Sequence, residues 1–148
     1  GARLAALAAA VPGLEVRPHA LPQPLSAPLV PGDGDGGFGL AAFDLVYARL
    51  ALHYFPEDTI RDLILPDLHA VLRPGGWLLF TIKTSENKAQ GTGKVLIAGE
   101  RWRELVANAG FEALEARPEW QGGVASLESE EAWRSVGSPW FFACRKIA

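Results

Sequence analysis

The order of apolar and polar positions predicts a chain in which strands alternate with helices. Two short segments, 43–47 and 77–82, are almost wholly apolar and are bounded by turn residues, which is typical of strands. The second is apolar on consecutive positions, as in a strand that is covered on both faces of a parallel sheet. The pattern therefore predicts two neighbouring strands in one sheet.

A helix is predicted between these strands. Apolar residues recur there at helical spacing: Ile60, Leu63, Ile64, Leu68, Val71 and Leu72. Acidic Glu57 and Asp58 precede the pattern, and the segment 73–76, Arg-Pro-Gly-Gly, ends it. Pro66 cannot donate a hydrogen bond to the Asp62 carbonyl, so we expect a kink there or a division into two helices.

The rest of the chain continues the alternation. Before the first of these strands we expect an opening helix on Leu4, Leu7, Ala8 and Val11, a strand at 14–17 and a Pro/Gly-rich connecting loop at 18–42. After the second we expect a helix on Trp102, Leu105, Val106 and Ala109 and a strand at 111–117. A short helix at 130–136 and a strand at 140–144 would end the chain. This order predicts one α/β domain over residues 1–148, built on a doubly wound sheet.

Composition narrows the possible partners. The net charge is -3 over 148 residues and the 14 basic residues form no stripe, so nucleic acid is not an expected partner. The longest apolar run is far shorter than the roughly 20 residues of a membrane-spanning helix, so no membrane is expected. The single Cys144 cannot form an internal disulfide, which favours a reducing compartment and a cytoplasmic location.

Three motifs in order carry a family resemblance. They are the segment 43–55 (FDLVYARLALHYF), the segment 72–76 (LRPGG) before the next strand, and the segment 109–111 (AGF). Together they resemble the second half of a class I S-adenosylmethionine-dependent methyltransferase of the small-molecule type. The resemblance implies a Rossmann-like sheet, S-adenosylmethionine as cofactor and a small-molecule methyl acceptor, with the cofactor across the carboxyl ends of the strands.

The resemblance also implies site residues. Ala48, Arg49 and Leu50 would lie beside the methionine part of the cofactor, and the turn of His19, Ala20 and Leu21 would lie near its adenine. Ala20 stands where the family usually has an aspartate, and its methyl group cannot accept the adenine amino group. Tyr54 and Lys83 would face the acceptor, and His53 is the candidate catalytic base.

Each of these residues also has an ordinary structural interpretation. His53 and Tyr54 could pack or line the site, Arg49 could form a salt bridge at the strand end, and Lys83 and Thr84 could lie in a solvated loop. The three histidines, His19, His53 and His69, have no metal-ligand spacing, so no metal site is expected.

The front of the family pattern has no match. No glycine-rich cofactor loop and no acidic strand end precede Leu14, and the Gly-Asp repeat at 32–37 follows a Pro-rich segment rather than a strand. The sheet is therefore expected to lack its first two strands, which would leave the edge of strand 43–47 open. We expect a homodimer, a swapped segment or an upstream piece to cover that edge.

A non-catalytic relative that serves as a binding or assembly partner is the alternative function. A nicotinamide-dependent oxidoreductase would need a G-x-G-x-x-G turn, which is absent from this sequence.

Overall fold

A four-stranded mixed sheet forms the centre of the protein. The structure is a computed structural model that describes residues 6–7, 9–15, 17, 19–28, 37–85, 96–118 and 139–147. The strands are β1 (Phe43–Arg49), β2 (Leu72–Ile82), β3 (Phe111–Pro118) and β4 (Trp140–Lys146), in the spatial order β1-β2-β4-β3. β1 and β2 are parallel, and β4 is antiparallel to both of its neighbours. The expected α/β alternation is confirmed.

The connection from β1 to β2 is helical. A single 3-10 turn, Leu52–Tyr54, follows β1, and α1 then runs through Glu57–Thr59, Ile60–Ile64 and Leu65–Val71. The middle piece is a π-helical turn, in which the Leu65 N–H donates to the Ile60 carbonyl. The α-helix is therefore interrupted immediately before Pro66, as expected of a residue that removes one hydrogen bond from the ladder.

This wider turn changes which leucine faces the core. Leu63, expected on the apolar face, is 55% exposed, whereas Leu65 is fully buried. A π turn holds more residues than an α turn, so it shifts the phase of the helix by about one position. The prediction for Leu63 was wrong because it assumed an uninterrupted 3.6-residue period.

The LRPGG motif forms a bulge at the start of β2. Phe43 pairs with Leu72 and Leu45 with Trp77, so two steps along β1 correspond to five along β2. Gly75 has φ +75°, a left-handed conformation that glycine adopts without steric cost. A Cβ on Gly76 would lie 2.8 Å from the Arg73 carbonyl oxygen. The two glycines are therefore required by the backbone of the bulge.

One contiguous core joins both helices to one face of the sheet. The second helix, α2, spans Gly99–Asn108. The buried side chains of this core cluster are Leu52, Ile60, Ile64, Leu65, Leu68, Leu72, Leu78, Phe80, Ile82, Trp102, Leu105, Val106, Phe111, Phe142 and Cys144. At its centre, Phe80 stacks on Phe142 with ring centroids 4.7 Å apart, and Trp102 lies 5.6 Å from Phe80. On the opposite sheet face, Leu45 and Tyr47 are 50% and 59% exposed.

Part of the N-terminal prediction was wrong. In the opening segment, residues 6–7 and 9–10 are helical as expected, and Leu7 and Val11 are exposed. Residues 14, 15 and 17 form no strand. A strand is stabilised by pairing with a neighbour, and no described residue of the sheet pairs with this segment. The predicted helix at 130–136 and most of the Gly-Asp repeat lie outside the described residues.

The described part of the connector 18–42 is attached to α1. The Asp67 carboxylate accepts the backbone N–H groups of Leu25, at 2.6 Å, and Ser26, at 2.9 Å, and also the Ser26 hydroxyl. Phe38 donates its N–H to the Leu25 carbonyl. A Cβ on Gly37 would collide with the carbonyl oxygens of Leu25 and Ala27, so glycine is required there. The turn at residues 25–27, which follows the turn at 21–23, is thus tied to the helix by one carboxylate.

Candidate functional site

The carboxyl ends of β1 and β2 lie side by side. Ala48 pairs with Phe80 and Arg49 with Thr81, so residues that follow the two strands leave the sheet at the same rim. The Leu50 N–H donates to the Thr81 carbonyl at 2.8 Å and to its hydroxyl at 3.2 Å. We call residues 49–54 with 81–83 the strand-end lip. The expected arrangement, in which Ala48 and Lys83 share one rim, is present.

Leu50 makes a sharp turn in the backbone at this lip. Its φ is +51°, in the left-handed region that non-glycine residues seldom adopt. Such conformations cost about 1 kcal/mol or more and are concentrated at functional sites. Because the Leu50 N–H is already donated to Thr81, any ligand contact of the Leu50 backbone would be made through its carbonyl oxygen.

His53 connects the two sides of the lip. Its side chain is 7% exposed, and its Nδ1 atom accepts the Lys83 backbone N–H at 3.1 Å. The Tyr54 ring lies beside it, with centroids 4.6 Å apart and planes 30° from parallel, and Tyr54 is 57% exposed. The structure therefore brings together His53, Tyr54 and Lys83, which the sequence proposed as catalytic and acceptor-facing residues.

The two cations of the lip face solvent. Arg49 and Lys83 are both exposed, and within the described ranges neither side chain forms an ion pair. The strand-end salt bridge considered for Arg49 is thus not seen among these residues. Thr84, in contrast, is completely buried rather than part of a solvated loop.

The turn at residues 19–21 is held by its own contacts. His19 Nε2 lies 2.7 Å from the Gln23 carbonyl oxygen, and the Gln23 N–H donates to the Ala20 carbonyl. Leu21 packs against the core and precedes a cis bond to Pro22. No hydrogen bond between described residues joins this turn to the lip. Its adenine-binding role stays a prediction.

Sequence reasoning did not single out Thr81 or Asp67. Thr81 supplies both acceptors for the Leu50 N–H, and Asp67 holds Leu25 and Ser26 on α1. A hydroxyl within the apolar strand 77–82 was a signal for the first. The carboxylate of Asp67 gave no local signal, because its partners lie 41 and 42 residues away in the sequence.

Other chemistry has little support in the described ranges. They contain no group of three potential metal-binding side chains. Burial raises the pKa of the Cys144 thiol to about 12, which leaves it protonated and unreactive near neutral pH. None of the helices in these ranges has the length and apolar character needed to cross a bilayer.

Comparison with solved structures identifies the fold. A methyltransferase dependent on S-adenosylmethionine from Mesorhizobium loti superposes with a TM-score of 0.58 at 18% identity, over 74% of this chain and 64% of that chain. The 1,6-didemethyltoxoflavin-N1-methyltransferase of Burkholderia thailandensis, with bound 1,6-didemethyltoxoflavin and S-adenosylhomocysteine, gives 0.54 at 18% identity, over 74% of this chain and 46% of that chain. This chain has the class I methyltransferase fold.

The same methyltransferase fold is found in a protein whose stated activity differs. The [4+2]-cyclase SpnF matches with a TM-score of 0.53 at 20% identity, over 74% of this chain and 51% of that chain. This chain therefore spans less than two thirds of the length of each of these three structures. By sequence, no protein-family model and no curated protein matches.

Proposed function

We propose that this chain belongs to an S-adenosylmethionine-dependent methyltransferase that acts on a small molecule in the cytoplasm. The observation that carries the proposal is the strand-end lip, where the carboxyl ends of two parallel strands meet beside a left-handed turn at Leu50. Ligands of open α/β sheets bind beyond such strand ends. The methyltransferase fold adds support, since enzymes with this fold place a sulfonium methyl donor at that edge.

The residues of the lip would bind and orient the reactants. The backbone of Ala48, Arg49 and Leu50 would contact the methionine part of the cofactor, and the turn of His19–Leu21 would contact its adenine. Ala20 fits that role poorly because its side chain offers no acceptor, so a backbone group or His19 would have to replace the usual carboxylate. When bound, S-adenosylmethionine supplies an electrophilic methyl group.

The acceptor side has a simple requirement. Methyl transfer depends mainly on holding the nucleophile in line with the methyl group, and a base is needed only where the acceptor must lose a proton. The exposed Tyr54 ring and the Lys83 ammonium would provide one apolar and one cationic contact to the acceptor.

Calorimetric titration with S-adenosylhomocysteine tests the cofactor part. We expect binding to the unaltered chain and weaker binding to Arg49→Ala, since the lip would lose a cation beside the carboxylate of the methionine part. Arg61→Ala is the matched control, because Arg61 is an exposed arginine on α1 that pairs with Asp62 and is not one of the lip residues. Equal losses in both variants would contradict the proposed place of binding.

The alternative is a non-catalytic relative that binds a partner. One feature of the sequence favours it: Ala20 stands where the family resemblance implies an aspartate, and its methyl group offers no acceptor for the adenine amino group. The cyclase with the same fold adds only that this fold does not fix the reaction. Absence of S-adenosylhomocysteine binding, with circular dichroism and cooperative unfolding showing an intact fold, would support this alternative.

We also propose that the open edge of β1 binds a second polypeptide chain. β1 pairs with β2 on one side, and no described residue pairs with its other edge. Leu45 and Tyr47 are half-exposed next to this edge, and open edges of this kind promote association. We expect the 148-residue chain to self-associate through β1. Light scattering that finds a monomer at all concentrations would contradict this expectation.

A further inference from the structure

The tautomer of His53 follows from its hydrogen bond to Lys83. A backbone N–H can only donate, so the Nδ1 atom that lies 3.1 Å from the Lys83 nitrogen must be the acceptor. A neutral imidazole carries its proton on the other nitrogen, so His53 has its proton on Nε2. Any further partner of the ring at Nε2 therefore receives a hydrogen bond from it.

This tautomer conflicts with the role of a general base. A base must offer a nitrogen lone pair to the proton that it removes. In His53 the lone pair of Nδ1 is directed at the Lys83 N–H, and Nε2 carries the proton. To act as a base through Nδ1, the ring would first have to break the contact with Lys83.

The hydrogen bond has a clear structural effect. It joins the turn after β1 to Lys83, the first residue after β2, two residues beyond the Thr81 that accepts the Leu50 N–H. The two connections continue the β1–β2 ladder past the ends of the strands. The nearly buried ring of His53 also lies against the Tyr54 ring, 4.6 Å away, and so limits where Tyr54 can move.

We propose that His53 is a positioning residue of the strand-end lip, which fixes the Lys83 backbone and the Tyr54 ring by accepting the Lys83 N–H in the Nε2–H tautomer. We call the His53–Lys83 hydrogen bond, together with the contact between the His53 and Tyr54 rings, the clamp. The geometry of the clamp is independent of any ligand. The role of the clamp in binding a methyl acceptor rests on the proposed function.

The direct test is a spectroscopic measurement on the unaltered chain. Nitrogen-15 chemical shifts of the imidazole distinguish a protonated from an unprotonated ring nitrogen. We expect unprotonated Nδ1 and protonated Nε2 for His53 at pH 7.5, and a coupling across the bond to the Lys83 amide. A proton on Nδ1 would overturn the proposal.

Two nearly isosteric substitutions test the clamp independently. His53→Asn places a carbonyl oxygen near the position of Nδ1, whereas His53→Gln places one near Nε2. We expect amide hydrogen exchange at Lys83 to accelerate roughly two- to tenfold in His53→Gln, the range that loss of one hydrogen bond implies, and to stay near the original rate in His53→Asn. Equal acceleration in both variants would contradict the clamp.

These readouts separate the clamp from the cofactor proposal. Neither the nitrogen shifts nor the exchange rates require a ligand, so they hold even if S-adenosylhomocysteine does not bind. If it does bind, we expect His53→Asn to retain affinity better than His53→Gln. The reverse order would contradict the positioning role.

Discussion

Replacing Asp67 by alanine should release residues 25 and 26 from α1 and so loosen the adjoining segment 19–24. In the structure, this carboxylate accepts two backbone N–H groups and one hydroxyl from Leu25 and Ser26. The substitution leaves these three donors without their acceptor. The turn of His19, Ala20 and Leu21, which the proposed function places beside the adenine, comes just before these residues in the chain.

The size of the effect can be worked from these bonds. A hydrogen bond to a charged group contributes about 1.5–3 kcal/mol net when buried. Asp67 is half-buried, so water will partly replace the lost acceptor for each donor. We therefore expect the free energy of unfolding to fall by about 2–4 kcal/mol in total. With a urea m-value of about 2 kcal/mol/M, the midpoint should shift by about 1–2 M.

Urea unfolding followed by tryptophan fluorescence measures this shift. Asp62→Ala is the matched control, since Asp62 lies on the same helix but is exposed and bonded only to the neighbouring Arg61 among the described residues. We expect the control to change stability by less than about 0.5 kcal/mol. Limited proteolysis should also cut near residues 20–26 faster in Asp67→Ala alone. Equal midpoints for the two variants, with unchanged proteolysis, would refute the reasoning.

Four further predictions concern the core. Trp102 has a buried Nε1–H with no acceptor among the described residues, so Trp102→Phe loses no hydrogen bond there and should lower the free energy of unfolding by less than about 1 kcal/mol. Trp102→Ala should lower it by about 3–5 kcal/mol, and chemical denaturation measures both values. Gly99→Ala would press a Cβ into the Trp140 indole, so thermal unfolding should occur at a lower temperature than in Gly75→Ala, where only the backbone angle is strained. Burial raises the pKa of Cys144 from 9.0 to about 12, so the thiol should resist Ellman's reagent at pH 8 until urea unfolds the chain. The raised pKa of Cys144 should also lower the free energy of unfolding as the pH rises from about 9 towards 12, because the thiol then ionises in the unfolded chain but not in the folded one. Cys144→Val should remove this part of the pH dependence.

The sequence predicted the local features of the site better than its distant contacts. The β1–helix–β2 unit followed from hydrophobic pattern and from the LRPGG motif, whose glycines the bulge requires. The strand at 14–17 was wrong because a pattern of apolar residues does not supply a pairing partner. Leu63 was misplaced by the π turn before Pro66. Asp67 and the acceptor role of His53 depend on contacts across 30 to 42 residues, which spacing along the chain cannot reveal.

The central claim is that the strand-end lip binds S-adenosylmethionine. Titration of the nitrogen-15-labelled chain with S-adenosylhomocysteine, followed by amide chemical shifts, tests it residue by residue. We expect saturable shifts concentrated at Ala48, Arg49, Leu50 and Lys83, with small changes on the exposed face of α2. A folded chain whose lip amides do not move at millimolar ligand, or whose shifts cluster elsewhere, would contradict it.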